Sequence, residues 1–403
     1  MGKRQLCVLI FSSMLLLTLP LGTVSAEEGE SAKEIQLLTK KPVELTALKV
    51  PDPAARFVYD SGLDFEYPDA VRGIYVTGPS AGGKKMSELT ELVDSTDLNA
   101  MVIDIKEDHG NLTFEPEDDK YADIAESYID DPREMLKELE KKGIYPIARV
   151  VVFKDSLLAK ERPDLSYTQN GKVWVNGRGE AFVNPFMKEV WDYNLEIAKM
   201  ASEMGFQEIQ FDYVRFPEGF GNRDDVLEYN QGDYANLEME EVQKRVKAVT
   251  DFVAYAKEGL SNYDVDVSVD IFGYSATIPE APNIGQNFSK ISSNVDVISS
   301  MIYPSHWGPY FGISKPDAEP YRLVSEYAKV ENEVLSKLEN KPTSRPWIQD
   351  FEAPWLYSGP TKQYGKAEVE TQIKALKENG IDEYLIWNAG NNYTPNVDYT
   401  PTN

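Results

Sequence analysis

From Arg72 onward the chain repeats one pattern, a short β-rich apolar run followed by a stretch with helical spacing, and this rhythm limits the folds open to it more than any other feature. The first run is 73–77 with a helix over 86–95. The second is 100–105 with a helix over 132–142, where Pro132 suits a first helical turn and Gly143 a helix end. The third is 144–153, followed by a hairpin-like insertion at 171–176 and a helix over 187–203. The fourth is 208–216 with a helix over 239–260. Runs at 265–272, 295–303, 345–351 and 383–388 complete the set, with helices near 321–338 and 366–379 and a weaker helical stretch at 279–293. Parallel strands need crossover helices, and eight such units predict an α/β fold of the (β/α)8 TIM-barrel type with an N-terminal extension. An open doubly wound sheet is the rival, but such sheets seldom keep eight regular units without a second domain.

The region before the barrel divides in two. Residues 1–26 carry Lys3 and Arg4, an apolar run from Leu6 to Leu19, and Val24-Ser-Ala26, the order of a cleavable signal peptide. An apolar run of about 14 residues falls short of the roughly 20 that span a bilayer, so cleavage after Ala26 and no transmembrane span in the mature chain are expected. Residues 27–68 are charged and proline-punctuated and read as a stem or extended wrap, leaving 69–403 for the barrel. The expected location is outside the cell, secreted or wall-associated.

Charge and rare residues then exclude whole classes. With 67 acidic against 41 basic residues the formal net charge is -26, which repels nucleic acid and anionic lipid and favours a neutral substrate or one met through metal ions. A mean hydropathy of -0.42 leaves no room for a multi-span membrane protein. The one cysteine, Cys7, lies in the signal segment, so the mature chain has neither thiol chemistry nor disulfides. His109 and His306 are too few for a three-histidine metal centre. No G-x-S-x-G supports a serine triad.

Strand side chains alternate, so each run splits into a face toward the helices and one toward the barrel axis. In the fourth run Ile209, Phe211 and Tyr213 oppose Gln210, Asp212 and Val214. In the fifth, Val267, Val269 and Ile271 oppose Asp266, Ser268 and Asp270. The apolar sets must meet helices, which turns Gln210, Asp212, Ser268 and Asp270 inward, with the two aspartates nearest the strand ends where barrel active sites form. The same rule places Asp104 and Lys106, Arg149, Tyr75 and Thr77, Met301 and Tyr303, Gln349 and Trp387 inward. A buried ion-pair network is the purely structural alternative, and it costs several kcal/mol unless every charge is paired.

Two carboxylates across a barrel mouth, with aromatics nearby, are what glycosidic cleavage needs: a proton donor and a group that attacks or stabilises the oxocarbenium centre. Asp212, beside Arg149 or Lys106, is the expected nucleophile or stabiliser. Asp270 is the expected donor if its surroundings raise its pKa. Glu107, Asp350 and Glu352 follow strands and are rival acids. Asp104, Lys106, Arg149, Tyr303, Trp307, Gln349 and Trp387 are the expected substrate contacts. Loop aromatics Trp174, Trp307, Tyr310, Phe311, Trp355 and Tyr357 offer faces for sugar stacking.

With Gln210-Phe-Asp-Tyr-Val-Arg-Phe-Pro217, Arg72-Gly-Ile-Tyr-Val-Thr77, Val102-Ile-Asp-Ile-Lys106 and Ser300-Met-Ile-Tyr-Pro304 in order, the chain resembles the "Putative glycosyl hydrolase domain" family of bacterial secreted proteins over about residues 70 to 395. The resemblance implies a barrel related to glycoside hydrolases and says little of the substrate. A fainter similarity to chitinase-like barrels rests on Met301-Ile-Tyr303, Asp212 and Trp387. It departs at Val214, where those enzymes carry an acid, so a substrate-assisted mechanism is not expected.

Gly78-Pro-Ser-Ala-Gly-Gly83-Lys84 imitates a P-loop, but Lys85 stands where a hydroxyl must hold magnesium. Acidic clusters at 115–119, 130–131 and 223–225 lack calcium-loop spacing and read as solvated faces. No metal or cofactor is expected, and the expected partner is carbohydrate, a wall glycan or an exopolysaccharide. A non-catalytic sugar-binding barrel is the remaining alternative.

Overall fold

The computed structural model describes residues 58–356 and 361–401. The expected signal segment, most of the expected stem and Tyr357 lie outside the described residues. Eight staves close into a parallel barrel: β1 (Arg72–Val76), β2 (Ala100–Lys106), β3 (Tyr145–Val151), β4 (Glu208–Asp212), β5 (Asp266–Phe272), β6 (Val297–Met301), β7 (Trp347–Gln349) and β8 (Tyr384–Trp387). Each pairs with its sequence neighbour, and β8 returns to β1 through Arg72↔Tyr384 and Ile74↔Ile386. A short strand at Thr343–Ser344 also pairs with β6, so the seventh stave is broken at Pro346, which has no N–H for a ladder.

The outer layer is α1 (Lys85–Asp94), α2 (Pro132–Lys141), α3 (Lys188–Met204), α4 (Glu241–Gly259), α5 (Phe288–Ser292), α6 (Pro320–Leu335) and α7 (Lys366–Glu378). Local chemistry sets their ends. Asp131 caps α2 by accepting from the Glu134 N–H at 2.9 Å, with Pro132 in the first turn. Gly205 ends α3 at φ 114°, and a Cβ there would lie 2.5 Å from Leu63 Cδ1, so conformation and packing both require glycine. The weak helical stretch at 279–293 yields only the five residues of α5. The expected hairpin forms at 168–173, slightly before its predicted place. Among the described residues no helix is long and apolar enough to cross a membrane.

The main core lies between strands and helices, from residues such as Ile103, Phe211, Val269 and Phe252. The barrel interior is divided: Val71, Val102, Ile147, Trp347 and Leu385 make one side apolar, while β4 and β5 supply Glu208, Gln210, Asp212, Ser268 and Asp270. At the N-terminal end of the strands, Arg345 is fully buried between Glu208 (2.7 Å) and Glu383 (2.8 Å). The described part of the extension completes that network. The Tyr67 hydroxyl donates to Glu383 at 2.9 Å and accepts from Arg345 at 2.8 Å, and the Tyr59 N–H donates to Asn262 O at 2.7 Å. Residues 58–68 thus pack against the foot of the barrel.

Candidate active site

The sites at the C-terminal strand ends follow from register. β4 and β5 pair in parallel through Gln210↔Ser268 and Phe211↔Val269, so the next residues inward, Asp212 and Asp270, stand side by side. Arg149, on the other side of β4, joins them. Its Nε and Nη2 donate to Asp212 Oδ2 at 3.0 and 2.6 Å, its Nη1 to Asp104 Oδ1 at 2.7 Å, and its Nη2 to Asp108 Oδ1 at 2.9 Å. One guanidinium thus holds three carboxylates, with geometry suited to its planar fork. Burial works against its charge, but those carboxylates drive its pKa well up.

The two central aspartates have opposite surroundings. Asp212 accepts from Arg149 and, through Oδ1, from the Tyr213 N–H at 2.6 Å. Asp270 instead accepts the Trp347 indole N–H at 2.7 Å. Burial first, and the neighbouring Asp212 charge second, push the Asp270 carboxyl well above the usual carboxylate range. A carboxyl with a raised pKa is the kind that can serve as a proton donor.

Asp104 accepts the Tyr75 hydroxyl at 2.5 Å, and burial raises its carboxyl although Tyr75 and Arg149 favour the charged form. Asp108, opposed by burial, is nonetheless held well below the ordinary range by Arg149 and Lys154. Lys154 also bridges to Glu180 at 2.9 Å. Half-buried Glu107 is pushed up to about 7, by burial first and then by the charges of Asp104, Glu126 and Asp108. Carboxylates outnumber cations here, a field that favours developing positive charge.

Two aromatic groups flank the pair. Trp387 stacks on Tyr75 with centroids 4.0 Å apart, touches Trp347 and Tyr303, and lies 5.6 Å from the Arg149 guanidinium. On the other flank Tyr213, directly after Asp212, takes φ 53°, a left-handed conformation unusual for a bulky residue and characteristic of functional strain.

Several expectations are corrected. Lys106 does not face the mouth. A β-bulge pairs Asp104 with Arg149 but Lys106 with Val150, so one extra residue reverses the parity. Lys106 instead bonds Asp155 at 2.7 Å and Asn194 of α3, fully buried, where it cannot meet a substrate. Asp212 is therefore partnered by Arg149 alone of the two cations considered. Gln349 does point inward, but its amide is spent: Oε1 accepts the Ser305 N–H at 3.0 Å and Nε2 donates to Phe351 O at 2.8 Å, tying two loops together. Tyr213 leaves the helix face once β4 stops at Asp212, and its hydroxyl reaches toward Asp108 and Lys154 at 3.4 Å.

Asp104, Arg149, Asp212, Asp270, Tyr303 and Trp387 are brought together. Trp307 lies apart in a cluster with Tyr310, Phe311 and Tyr327. Among the rival acids, Asp350 is buried and bonded to Thr394, and Glu352 is exposed. Trp174 is buried beside Arg223, and Trp355 is exposed. Asp108, Lys154 and Trp347 were not anticipated. Trp347 shares the parity of Gln349 and was legible in principle, whereas Asp108 sits on a loop where alternation gives no signal. A groove of about 550 Å³ between α1 and α2 shares no residue with the mouth.

The sequence pattern of the family described as "Putative glycosyl hydrolase domain" matches residues 73–393. The chain belongs to this family. Its barrel is glycoside hydrolase-like, and the matched region includes all eight strands but for Arg72. A hypothetical protein from Ruminiclostridium thermocellum is 32% identical over 49% of this chain and 96% of its own, with a TM-score of 0.42. The glycoside hydrolase domain of PgaB (BpsB) from Bordetella bronchiseptica is 14% identical over 80% of this chain and 94% of its own, with a TM-score of 0.52, a similarity of fold. A variant of the PelA glycoside hydrolase domain from Pseudomonas aeruginosa is 10% identical over 83% and 98%, with a TM-score of 0.44. No curated protein sequence matches the chain.

Proposed function

We propose that the chain is an exported glycoside hydrolase that cleaves an O-glycosidic bond in a poly- or oligosaccharide, a wall glycan or exopolysaccharide, with Asp270 as proton donor and Asp212 as nucleophile or charge stabiliser. The observation that carries the reading is the different setting of two adjacent carboxyls, Asp212 bonded to Arg149 and Asp270 buried against the Trp347 indole with its pKa pushed up by burial. Family membership and the basic-apolar-small order of residues 1–26 support it.

Asp270 would give its proton to the glycosidic oxygen as the C–O bond breaks and its electron pair goes to the leaving oxygen. Asp212 would meet the positive anomeric carbon, and water would then supply the new hydroxyl and return a proton to Asp270. Trp387 and Tyr303 would face the sugar, while Arg149 and Asp104 hold Asp212 in place.

Digestion of a glycan panel by residues 27–403, with product mass spectrometry, tests the reading. Cleavage of at least one glycan, lost in Asp212→Asn, is expected. Tight binding with no cleavage across the panel would instead favour the non-catalytic sugar-binding barrel, a reading favoured by the 2% exposure of Asp270.

A further inference from the structure

Arg215 follows Tyr213 by two residues, and its guanidinium lies 4.8 Å from the Tyr213 ring and 4.6 Å from that of Phe272. Phe272 ends β5 two residues beyond Asp270 and stacks on Tyr274 at 5.6 Å and 25°. The Tyr274 carbonyl accepts from Thr277, whose hydroxyl meets the Tyr310 hydroxyl at 2.9 Å. Tyr310 in turn lies 5.3 Å from Trp307. Joined through Arg215 and Thr277, these rings run from beside the carboxyl pair across the loops after β4, β5 and β6.

Three features set this strip apart from ordinary core. Tyr274 and Tyr310 are 38% and 37% exposed, although core aromatics are covered. Phe311 beside them takes φ 50°, the second bulky aromatic of the mouth loops in the left-handed region after Tyr213. At Gly273 a Cβ would come within 2.7 Å of Met301 O and 3.1 Å of Trp307, so the loop after β5 is pressed against the loop after β6 and the strip is held in shape. Across the carboxyl pair, the Tyr75–Trp387 stack provides a second aromatic wall.

We infer that the Phe272–Tyr274–Tyr310–Trp307 strip is a binding platform for successive rings of a linear glycan whose chain continues over Trp387, so that the bond at Asp212 and Asp270 is an internal one. This rests on the reading of the pair as a hydrolytic site and adds to it the length and direction of the substrate. Sugar rings present apolar C–H faces that pack on aromatic surfaces, and a platform on each side of the scissile position suits a chain that passes through rather than one that ends there.

The test is affinity electrophoresis of residues 27–403 in gels containing laminarin, xylan, glucomannan or glycol chitin, paired with sizing of the digestion products. Retardation by at least one glycan is expected, weakened about tenfold in apparent Kd, or ~1.4 kcal/mol, by Tyr274→Ala and by Tyr310→Ala. Tyr321→Ala, on the outer face of α6, serves as a control and should be retarded like the parent. Products should be fragments of intermediate length. Parent-like retardation of both tyrosine variants, or no retardation in any gel, overturns the platform. Release of single sugars alone overturns the internal bond. Cleavage without dependence on the two tyrosines would leave the hydrolase reading standing and remove the platform. Tyrosine-dependent retardation without cleavage would do the reverse.

Discussion

The indole N–H of Trp347 donates to Oδ1 of Asp270 at 2.7 Å, from the seventh stave to the fifth. This bond favours the ionised carboxyl and opposes the burial that raises its pKa. Trp347→Phe is therefore expected to raise the Asp270 pKa further and move the alkaline limb of the kcat/KM profile to higher pH. An unmoved or lowered limb would show that another group, with Glu107 first in line, supplies the proton.

Asp270 also links stability to pH. Its folded pKa is raised, so the folded state retains a proton that the unfolded chain releases above about pH 4, and stability falls as pH rises from there toward the folded value. Asp270→Asn removes that penalty. Its melting temperature relative to the parent should improve as pH rises above about 4 while hydrolysis is lost, and a widening deficit would contradict a raised Asp270 pKa.

Lys106 and Asp155 are both fully buried and 2.7 Å apart. Lys106→Ala leaves a carboxylate without its cation and should cost about 3–5 kcal/mol in denaturant unfolding. The KM of the folded fraction should not change. A raised KM with little loss of stability would return Lys106 to the mouth.

Tyr67→Phe removes a hydroxyl that bonds both Glu383 and Arg345. A loss of about 1–3 kcal/mol is expected, as for other buried polar groups deprived of a partner. Unchanged stability would mean that the extension rests on the barrel without supporting it.

Much of this architecture is legible because two periodicities are so regular. Apolar alternation in Val267, Val269 and Ile271 fixes which way Asp270 points. The same rule, with Asp212, defines the pair before any coordinates. Alternation fails where the backbone departs from it, at the bulge that turns Lys106 away and at the left-handed Tyr213 where β4 stops. Partnership was equally hidden. Inward direction was correct for Gln349, yet nothing in its neighbours along the chain announces that Ser305 and Phe351 consume its amide. Asp108 joins Arg149 from a loop, where no period operates.

The bulge in β2 has a further consequence. Because Ile105 is the single surplus residue between Asp104 and Lys106, a stave paired without the bulge would set Ile105 opposite Val150 and Lys106 opposite Val151, on the parity of Arg149, and aim an ammonium group into the acidic chamber. A single irregular step in the backbone thus keeps a cation out of the chamber and leaves Asp155 its counterion, although the isoleucine that makes the step looks unremarkable.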